Sequence, residues 1–372
     1  MIGGADASDL SSRPSGGWRG TPFESLDTPC VLIDVDRVEA NLRRAQAYAD
    51  ANGLRLRPHI KTHKLTRFAR RQVELGAVGI TCQKLGEAEV MADGGLADIF
   101  LPYNIVGDYK LARLRALADR VAISVTADSQ TTVGGLSRAF AEAPRRLPVL
   151  VECDTGMGRC GVQTPLEASI LAKAIAQSRG LVFSGLMTYP AAGKLEASAG
   201  WLQEAVDLLT KDGLPPAVVS TGGTPDMWRA REVKAATEYR PGTYIYLDRY
   251  QAAKGAGTIE DCALTVLATV VSRPAHDRAV IDAGSKSLTS DTLGLDGFGL
   301  ALGYPAAIIR SLSEEHGVLD LSACEKKPEI GERLRIVPNH ACVVSNLFDR
   351  VTLVAGDKII ETVAVDARGR VD

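Results

Sequence analysis

The sequence predicts an α/β protein made of a (β/α)8 TIM-type barrel followed by a smaller, mostly-β C-terminal domain. Two observations carry this prediction. From residue 28 onward, short β-branched or aliphatic runs alternate with amphipathic stretches, and polar clusters follow nearly every run. After about residue 257, strand-like runs continue while amphipathic helices become scarce.

The barrel prediction depends on the number and spacing of these runs. Eight or nine strand candidates begin at Leu54 and extend over about 200 residues, close to the roughly 250 of a typical barrel. Polar clusters at many strand ends favour a barrel over an open doubly wound sheet, which would collect them in one crevice. The strand candidates are 54–57, 79–82, 99–101, 121–125, 147–152, 182–187, 217–220 and 244–247, with helices at 65–75, 166–178 and 199–210.

Three segments are expected along the chain. Residues 1–24 are rich in Gly, Ser, Ala and Asp and are predicted to form a disordered tail. Residues 25–256 are predicted to form the barrel, and residues 257–372 the mostly-β domain. A strand at 28–35 precedes the barrel and is a candidate to join the second domain.

Composition limits the partners that the chain can take. The formal net charge is -2 and no local cluster of Lys and Arg stands out, which argues against nucleic acid and anionic membranes as partners. No run approaches the ~20 apolar residues of a spanning helix. The seven cysteines are odd in number and scattered, as is typical of reduced thiols. We therefore expect a cytoplasmic protein whose partner is a small molecule.

Lys61 follows the first barrel strand and is the leading catalytic candidate. Barrel active sites lie at the C-terminal ends of the strands. A Schiff-base lysine must be desolvated or lie near other cations, and His59 and His63 crowd this one. The residues alone leave two alternatives open, namely a solvated basic turn and a reactive amine at Lys64 instead.

Two later loops are predicted to hold a phosphate. Consecutive glycines let backbone N–H groups approach an anion, and flanking hydroxyls add donors. Both loops come late in the barrel, where many barrels bind phosphate, although two tight turns would also explain the pattern. The predicted cofactor-binding residues in these loops are Thr221, Gly222, Gly223, Thr224, Gly242, Thr243 and Tyr244.

A third loop contains a run that resembles the signature of a known family. The run Asp154-Thr155-Gly156-Met157-x-Arg159-x-Gly161 resembles the signature of the alanine racemase fold, the fold type III pyridoxal-phosphate barrel. Within that fold, the chain is similar to the D-threonine aldolase and D-serine dehydratase family. The matching motifs occur in order from Thr28 and cover nearly the whole chain: Thr28-Pro29, Arg57-Pro58-His59-x-Lys61, Cys82-Gln83-Lys84, Gly222-Gly223-Thr224, Asp282-Ala283-Gly284 and Pro338-Asn339-His340.

The resemblance implies pyridoxal 5'-phosphate as cofactor and selects Lys61 over Lys64 as the lysine that binds it. It further implies that Arg159 lies by the cofactor ring or its phenolic oxygen, that Tyr189 forms the ring environment and that Gln83 makes a polar contact nearby. Without the resemblance, Arg159 would be read as a surface cation and Tyr189 as a core aromatic.

His340 and Cys342 are the predicted metal pair. Side chains two apart on an extended strand face the same side, so an imidazole and a thiolate could share one cation. On the residues alone, a core histidine beside a buried cysteine explains the pattern as well. The resemblance implies a divalent metal, Zn, Mn or Mg, that holds the substrate's β-hydroxyl. His-x-Cys resembles the dehydratases and suits Zn²⁺, whereas residues 158–162 and 346–349 look more like the aldolases.

The resemblance implies a D-threonine aldolase-like lyase that cleaves D-3-hydroxy amino acids to glycine and an aldehyde, with His59 or His63 as base. The alternative is a Zn-dependent D-serine or D-3-hydroxyaspartate dehydratase. An amino-acid racemase is a more remote alternative, because a racemase has no obvious use for the metal pair. A non-enzymatic cofactor carrier is also more remote, because such carriers lack the second domain. A homodimer is expected, since this fold usually completes its active site across a two-fold axis.

Overall fold

The structure is a computed structural model that describes residues 23–372. The predicted tail at 1–24 therefore lies almost entirely outside the described residues. Phe23 is described, and its ring is buried against Leu32, Leu267 and Val354. Because these three side chains belong to the second sheet, Phe23 packs onto that sheet.

Seventeen strands and ten α-helices are formed within residues 23–372. Strands β1 to β17 are Cys30–Asp34, Arg55–Leu56, Ile80–Thr81, Asp98–Asn104, Ala122–Ala127, Leu147–Cys153, Leu181–Thr188, Val218–Thr221, Glu238–Tyr239, Leu264–Ala275, Arg278–Ile281, Leu300–Ala301, Ile308–Leu312, Gly317–Asp320, Arg333–Val337, Arg350–Ala355 and Lys358–Ala364. Helices α1 to α10 are Val35–Ala51, Thr66–Glu74, Leu85–Asp93, Asp108–Ala118, Gln130–Phe140, Pro165–Gln177, Leu195–Lys211, Arg249–Ala253, Ser285–Leu288 and Ala341–Leu347. Short 3-10 helices lie at Ile60–Thr62, Met227–Glu232 and Thr243–Ile245. Within the described part of the chain, no helix combines the length and apolar character needed to cross a membrane.

The eight parallel strands β2 to β9 form one sheet that closes on itself. Their order is β2-β9-β8-β7-β6-β5-β4-β3, and its two ends meet through a parallel bridge between His59 and Thr81. The amide of Thr81 donates to the carbonyl of Pro58 at 2.8 Å. The predicted (β/α)8 barrel is confirmed, and its C-terminal rim carries the loops that hold the candidate site residues.

Side chains alternate between the two faces of the barrel strands. On β6, Val151 packs with the surrounding helices. Leu150 instead packs against Phe100 and Met187 from other strands, inside the barrel. Glu152 comes two residues after Leu150 and therefore points into the barrel as well, above this apolar layer.

The second sheet has nine strands, and the predicted mostly-β part is confirmed. Its main order is β13-β14-β11-β10-β1-β16-β17, with β15 pairing both β10 and β12. Strand β1 precedes the barrel in sequence but pairs antiparallel with β10 and parallel with β16. The chain then enters α1 through Asp34, whose carboxylate accepts the first helical amides. The second sheet is thus built from chain segments on both sides of the barrel.

Two local predictions are wrong. The strand predicted at 244–247 is not formed: the eighth barrel strand is Glu238–Tyr239, and Thr243–Ile245 is a 3-10 helix. His340 and Cys342 are not on an extended strand, because Ala341–Leu347 is helical. In the first case a short apolar run was interpreted as a strand, and periodicity cannot distinguish such a run from a buried helical segment. In the second, extended-strand spacing was applied to residues that follow the strand Arg333–Val337.

Candidate active site

Lys61 lies in the loop after β2, where the chain turns through the 3-10 helix Ile60–Thr62. His59 caps this turn, since its Nδ1 accepts the amide N–H of Lys61 at 3.3 Å. Burial lowers the pKa of the Lys61 amine. Within residues 23–372, no hydrogen bond or ion pair engages its Nζ. This amine therefore has the desolvated environment that a nucleophilic lysine needs.

Lys64, the competing amine, is committed to a structural role. Its Nζ forms an ion pair with Glu87 Oε1 at 3.2 Å, and both side chains are buried. The same atom donates to the carbonyls of Ala367 and Arg370 at 3.3 and 3.4 Å. These contacts leave Lys61 as the available amine of the pair.

Two predicted cofactor residues lie next to Lys61. Its Nζ is 6.0 Å from the ring centroid of Tyr189, and the guanidinium carbon of Arg159 is 5.1 Å from the same centroid. Arg159 comes from the loop after β6, which is shaped by the Asp154 carboxylate accepting three successive loop amides. The loop therefore brings one exposed cation to the tyrosine that faces Lys61.

His59 and His63, the predicted bases, are both buried, and burial lowers the pKa of His59 well below its usual value and that of His63 to about 4. His59 Nε2 is 3.0 Å from Gln83 Oε1. Because Nδ1 already accepts the Lys61 amide, Nε2 is assigned the proton. His63 Nδ1 accepts the amide of Leu65 at 3.0 Å. Neither imidazole presents a free lone pair, so the geometry suits them to shaping the Lys61 loop, and Gln83 to holding His59.

The two predicted phosphate loops meet at the Lys61 rim. A Cβ added at Gly223 would lie 2.9 Å from the ring of Tyr189. One added at Gly242 would lie 3.3 Å from both His59 Cβ and Thr62 Oγ1. Glycine at both positions therefore lets the backbone come close to the residues around Lys61.

These loops also contain an unsatisfied donor. The Thr221 hydroxyl is buried and has no hydrogen-bond partner in the described part of the chain, and Gly222 has a φ of +106°. Such a turn with a free hydroxyl fits a bound phosphate. Thr224 Oγ1 accepts the amide of Tyr244 at 3.1 Å and so links the two loops. The Tyr244 side chain itself is buried with its hydroxyl on Gln72, which leaves only its backbone for the predicted role.

His340 and Cys342 lie together at the start of α10. Cys342 Sγ is 3.0 Å from Thr62 Oγ1 and 3.4 Å from Thr243 Oγ1. Burial raises the pKa of the thiol, but the neighbouring His340 and the hydroxyls of Thr243 and Thr62 outweigh it and leave that pKa below its usual value. The predicted metal pair therefore lies beside the Lys61 turn and the loop that contains Thr243.

The donor chemistry of this pair fits a divalent metal. Imidazole nitrogen and thiolate sulfur are ordinary Zn²⁺ ligands, and catalytic zinc keeps a position open for substrate or water. Residues 23–372 contain no cluster of three or more His, Cys, Asp or Glu arranged to hold a metal. An ion held by His340 and Cys342 would thus take its remaining ligands from groups other than a third such side chain.

Two charged residues inside the barrel had no role assigned from the sequence. Arg240 is buried and donates to Ser220 Oγ at 2.8 Å. Glu152 accepts from Thr126 Oγ1 at 3.3 Å, and burial raises the pKa of this carboxyl to about 7. The period-two alternation along β6 could have placed Glu152 inside, since Leu150, two residues before it, is apolar and points inward.

The barrel, its rim lysine and the second sheet define a class of protein. The model of the alanine racemase N-terminal domain family matches residues 33–250, and a serine dehydratase domain matches residues 263–354. The chain belongs to the alanine racemase N-terminal domain family.

Relatives narrow this class and confirm the resemblance seen in the motifs. D-threonine aldolase from Arthrobacter sp is 35% identical over 363 residues, covering 94% of this chain and 95% of that protein. The crystal structure of D-threonine aldolase from Filomicrobium marinum has a TM-score of 0.87 at 33% identity, covering 93% of this chain and 97% of that one. D-threo-3-hydroxyaspartate dehydratase from Delftia sp. HT23 has a TM-score of 0.82 at 31% identity, covering 92% and 98%. The structure of a cysteine-to-alanine variant of D-threo-3-hydroxyaspartate dehydratase has been determined in a metal-free form.

Proposed function

We propose that this protein is a pyridoxal-phosphate- and divalent-metal-dependent lyase that cleaves D-3-hydroxy amino acids to glycine and an aldehyde, as a D-threonine aldolase does. One observation carries the proposal. The desolvated amine of Lys61 and the His340–Cys342 donor pair lie in one site, with Thr62 between them in contact with the thiol. Full-length similarity to D-threonine aldolases supports it.

Pyridoxal phosphate is assigned to the rim loops. The cofactor, when bound, supplies an electron sink for the charge left on the substrate's Cα as a bond to it breaks. Lys61 would hold the cofactor covalently, and Arg159 and Tyr189 would lie at its ring. The Gly222–Gly223 turn and the unpartnered hydroxyl of Thr221 would bind its phosphate.

A divalent metal is assigned to His340 and Cys342. A metal ion lowers the pKa of a hydroxyl bound to it, which makes the β-hydroxyl of the substrate easier to deprotonate. The thiolate of Cys342 favours Zn²⁺ over Mg²⁺ or Mn²⁺. His340 and Cys342 would hold this ion, and through it they would orient the β-oxygen of the substrate.

The proton of the β-hydroxyl needs an acceptor. His59 and His63 have their Nδ1 atoms on backbone amides. Lys61 Nζ is free of such contacts within residues 23–372, and burial lowers the pKa of its amine. We therefore assign the proton acceptor to Lys61 and a positioning role to the two histidines.

A second activity is favoured by the cysteine of the metal pair. The family's dehydratases resemble this chain in having His-x-Cys, and a dehydratase is among its full-length relatives. In that reaction Lys61 would accept the Cα proton. A metal held by His340 and Cys342 would stabilise the departing hydroxide. The two activities share every assigned residue and differ in the bond that breaks.

Product analysis separates the two activities. The purified holoenzyme is incubated with D-threonine or D-serine in the presence of Zn²⁺ or Mn²⁺. Glycine with acetaldehyde from D-threonine is the expected result. Ammonia with 2-oxobutyrate or pyruvate would instead establish the dehydratase, and a rate unaffected by EDTA would exclude the metal from either reaction.

We also propose a cytoplasmic homodimer. All seven cysteines are unpaired thiols, as expected in a reducing compartment, and the family resemblance implies a two-fold assembly. Light scattering on the purified holoenzyme should give twice the chain mass of 39.5 kDa. A particle of one chain mass would contradict the dimer.

A further inference from the structure

The imidazole of His340 is hydrogen-bonded to an acidic side chain. Its Nδ1 is 2.7 Å from Oδ2 of Asp291. Asp291 lies between α9 and β12, far from the metal pair in sequence. A histidine that donates from Nδ1 to a carboxylate leaves its Nε2 lone pair for a metal on the opposite edge of the ring.

Asp291 is itself held in place. The side-chain amide of Asn339 donates to the main-chain carbonyl of Asp291 at 3.1 Å and to that of Gly297 at 2.9 Å. Asn339 is fully buried and directly precedes His340. The amide of Asp291 also donates to Thr289 Oγ1 at 3.3 Å. These bonds hold the backbone of Asp291 next to Asn339, and therefore next to His340.

We propose that Asp291 is a positioning residue for the metal pair. Its carboxylate holds His340 with the hydrogen on Nδ1, so that Nε2 and Cys342 Sγ face one metal ion. This inference rests on the metal assigned in the proposed function. Partners of this kind typically change metal affinity by about 10–100-fold when they are removed.

The experiment measures Zn²⁺ affinity directly, by competition with a chromophoric chelator on cofactor-loaded enzyme from which metal has been removed. Asp291→Ala is expected to weaken Zn²⁺ binding by about 10–100-fold. Asp291→Asn is expected to lose less, because its amide oxygen can still accept the Nδ1 hydrogen. Asp296→Asn is the matched control, since Asp296 is an exposed carboxylate in the same segment that pairs with Arg310 and does not contact the metal pair. It should bind Zn²⁺ like the wild type.

The tautomer gives a readout that does not depend on affinity. The chain has only five histidines, so selective ¹⁵N-histidine labelling resolves them individually by NMR. In the Zn²⁺-loaded wild type, His340 should carry its hydrogen on Nδ1 in a hydrogen bond, and Asp291→Ala should lose that signal. Unchanged visible absorbance of the bound cofactor would show that the barrel site is intact.

Three outcomes would overturn the inference. Wild-type affinity in Asp291→Ala, with weak binding in His340→Ala, would leave the metal site standing without Asp291. Loss in Asp291→Asn as large as in His340→Ala would make Asp291 a metal ligand instead of a positioning residue. Wild-type affinity in His340→Ala would remove the metal site itself, and the proposed function with it.

Discussion

The hydroxyl of Thr62 lies 3.0 Å from the Sγ of Cys342 and joins two residues that are 280 positions apart in sequence. Thr62 is the direct neighbour of Lys61, and Cys342 is in the first turn of α10. Because the hydroxyl and the thiol are in hydrogen-bond contact, the turn that carries Lys61 directly touches the proposed metal pair. The proposed cofactor lysine and the proposed metal pair thus lie in one site.

Thr62→Val should weaken metal binding while the cofactor stays bound. Valine has nearly the shape of threonine but removes one of the hydrogen bonds that lower the pKa of the Cys342 thiol. Loss of one such bond costs about 1 kcal/mol, or a factor of about 5 in Zn²⁺ affinity. Chelator competition measures this factor, and Thr62→Ser, which keeps the hydroxyl, should restore wild-type affinity. Equal affinity in all three proteins would show that this contact does not tune the thiolate.

Replacing Lys61 should abolish cofactor retention, whereas replacing Lys64 should lower the stability of the fold. Lys61→Ala should lose the visible absorbance of the cofactor on dialysis and keep its thermal stability. Lys64→Met should keep the cofactor but lose about 3–5 kcal/mol of stability, since Glu87 is left buried without its partner. Lys64→Met with Glu87→Gln should recover part of that loss. Retention of the cofactor by Lys61→Ala would overturn the assignment.

The sequence could predict the barrel because each strand has a local signature of an apolar run followed by polar residues. It could not separate Lys61 from Lys64, since the difference is tertiary: Ala367, one of the partners of Lys64, is 303 residues away. The role of Asp291 could not be predicted from the sequence either, because its contact with His340 exists only after the intervening strands pack. Where family motifs supplied the long-range information, as for the metal pair, the predicted residues were brought together despite the wrong local structure.

Glu152 should make folding stability depend on pH. Burial is the main cause that raises the pKa of this carboxyl to about 7, from 4.5 when exposed. The folded state therefore binds a proton that the unfolded state releases between these values. The contribution of this bound proton to the free energy of unfolding is fully present below about pH 4.5 and is lost as the pH rises through about 7. The loss is at most about 3 kcal/mol.

Glu152→Gln should abolish this dependence, because glutamine resembles the protonated acid. Urea unfolding of wild type and variant at pH 5 and pH 8 measures it. The variant should gain stability relative to wild type at the higher pH. Glu142→Gln, at a side chain that is 81% exposed, is the control and should shift neither curve. A Glu152→Gln advantage that is the same at both pH values would contradict a proton held by Glu152.

Gly223→Ala should displace Tyr189 and weaken cofactor binding. The added Cβ would lie 2.9 Å from the Tyr189 ring, closer than normal packing permits. That ring must then move away from Lys61 and Arg159, and we expect the cofactor dissociation constant to rise roughly tenfold, equivalent to about 1.4 kcal/mol. Equilibrium dialysis followed by absorbance measures the constant.

A double-variant cycle identifies the cause. If the clash with Tyr189 is responsible, Gly223→Ala should add little to the loss already caused by Tyr189→Ala, because neighbouring residues that act through one contact are not additive. Gly200→Ala is the matched control. It lies on α7 with no atom within 4 Å of the added Cβ, so it should stabilise the helix by about 0.5–1 kcal/mol and leave cofactor binding unchanged. Fully additive losses in the double variant would mean that Gly223 acts through its own backbone on the phosphate, independently of Tyr189.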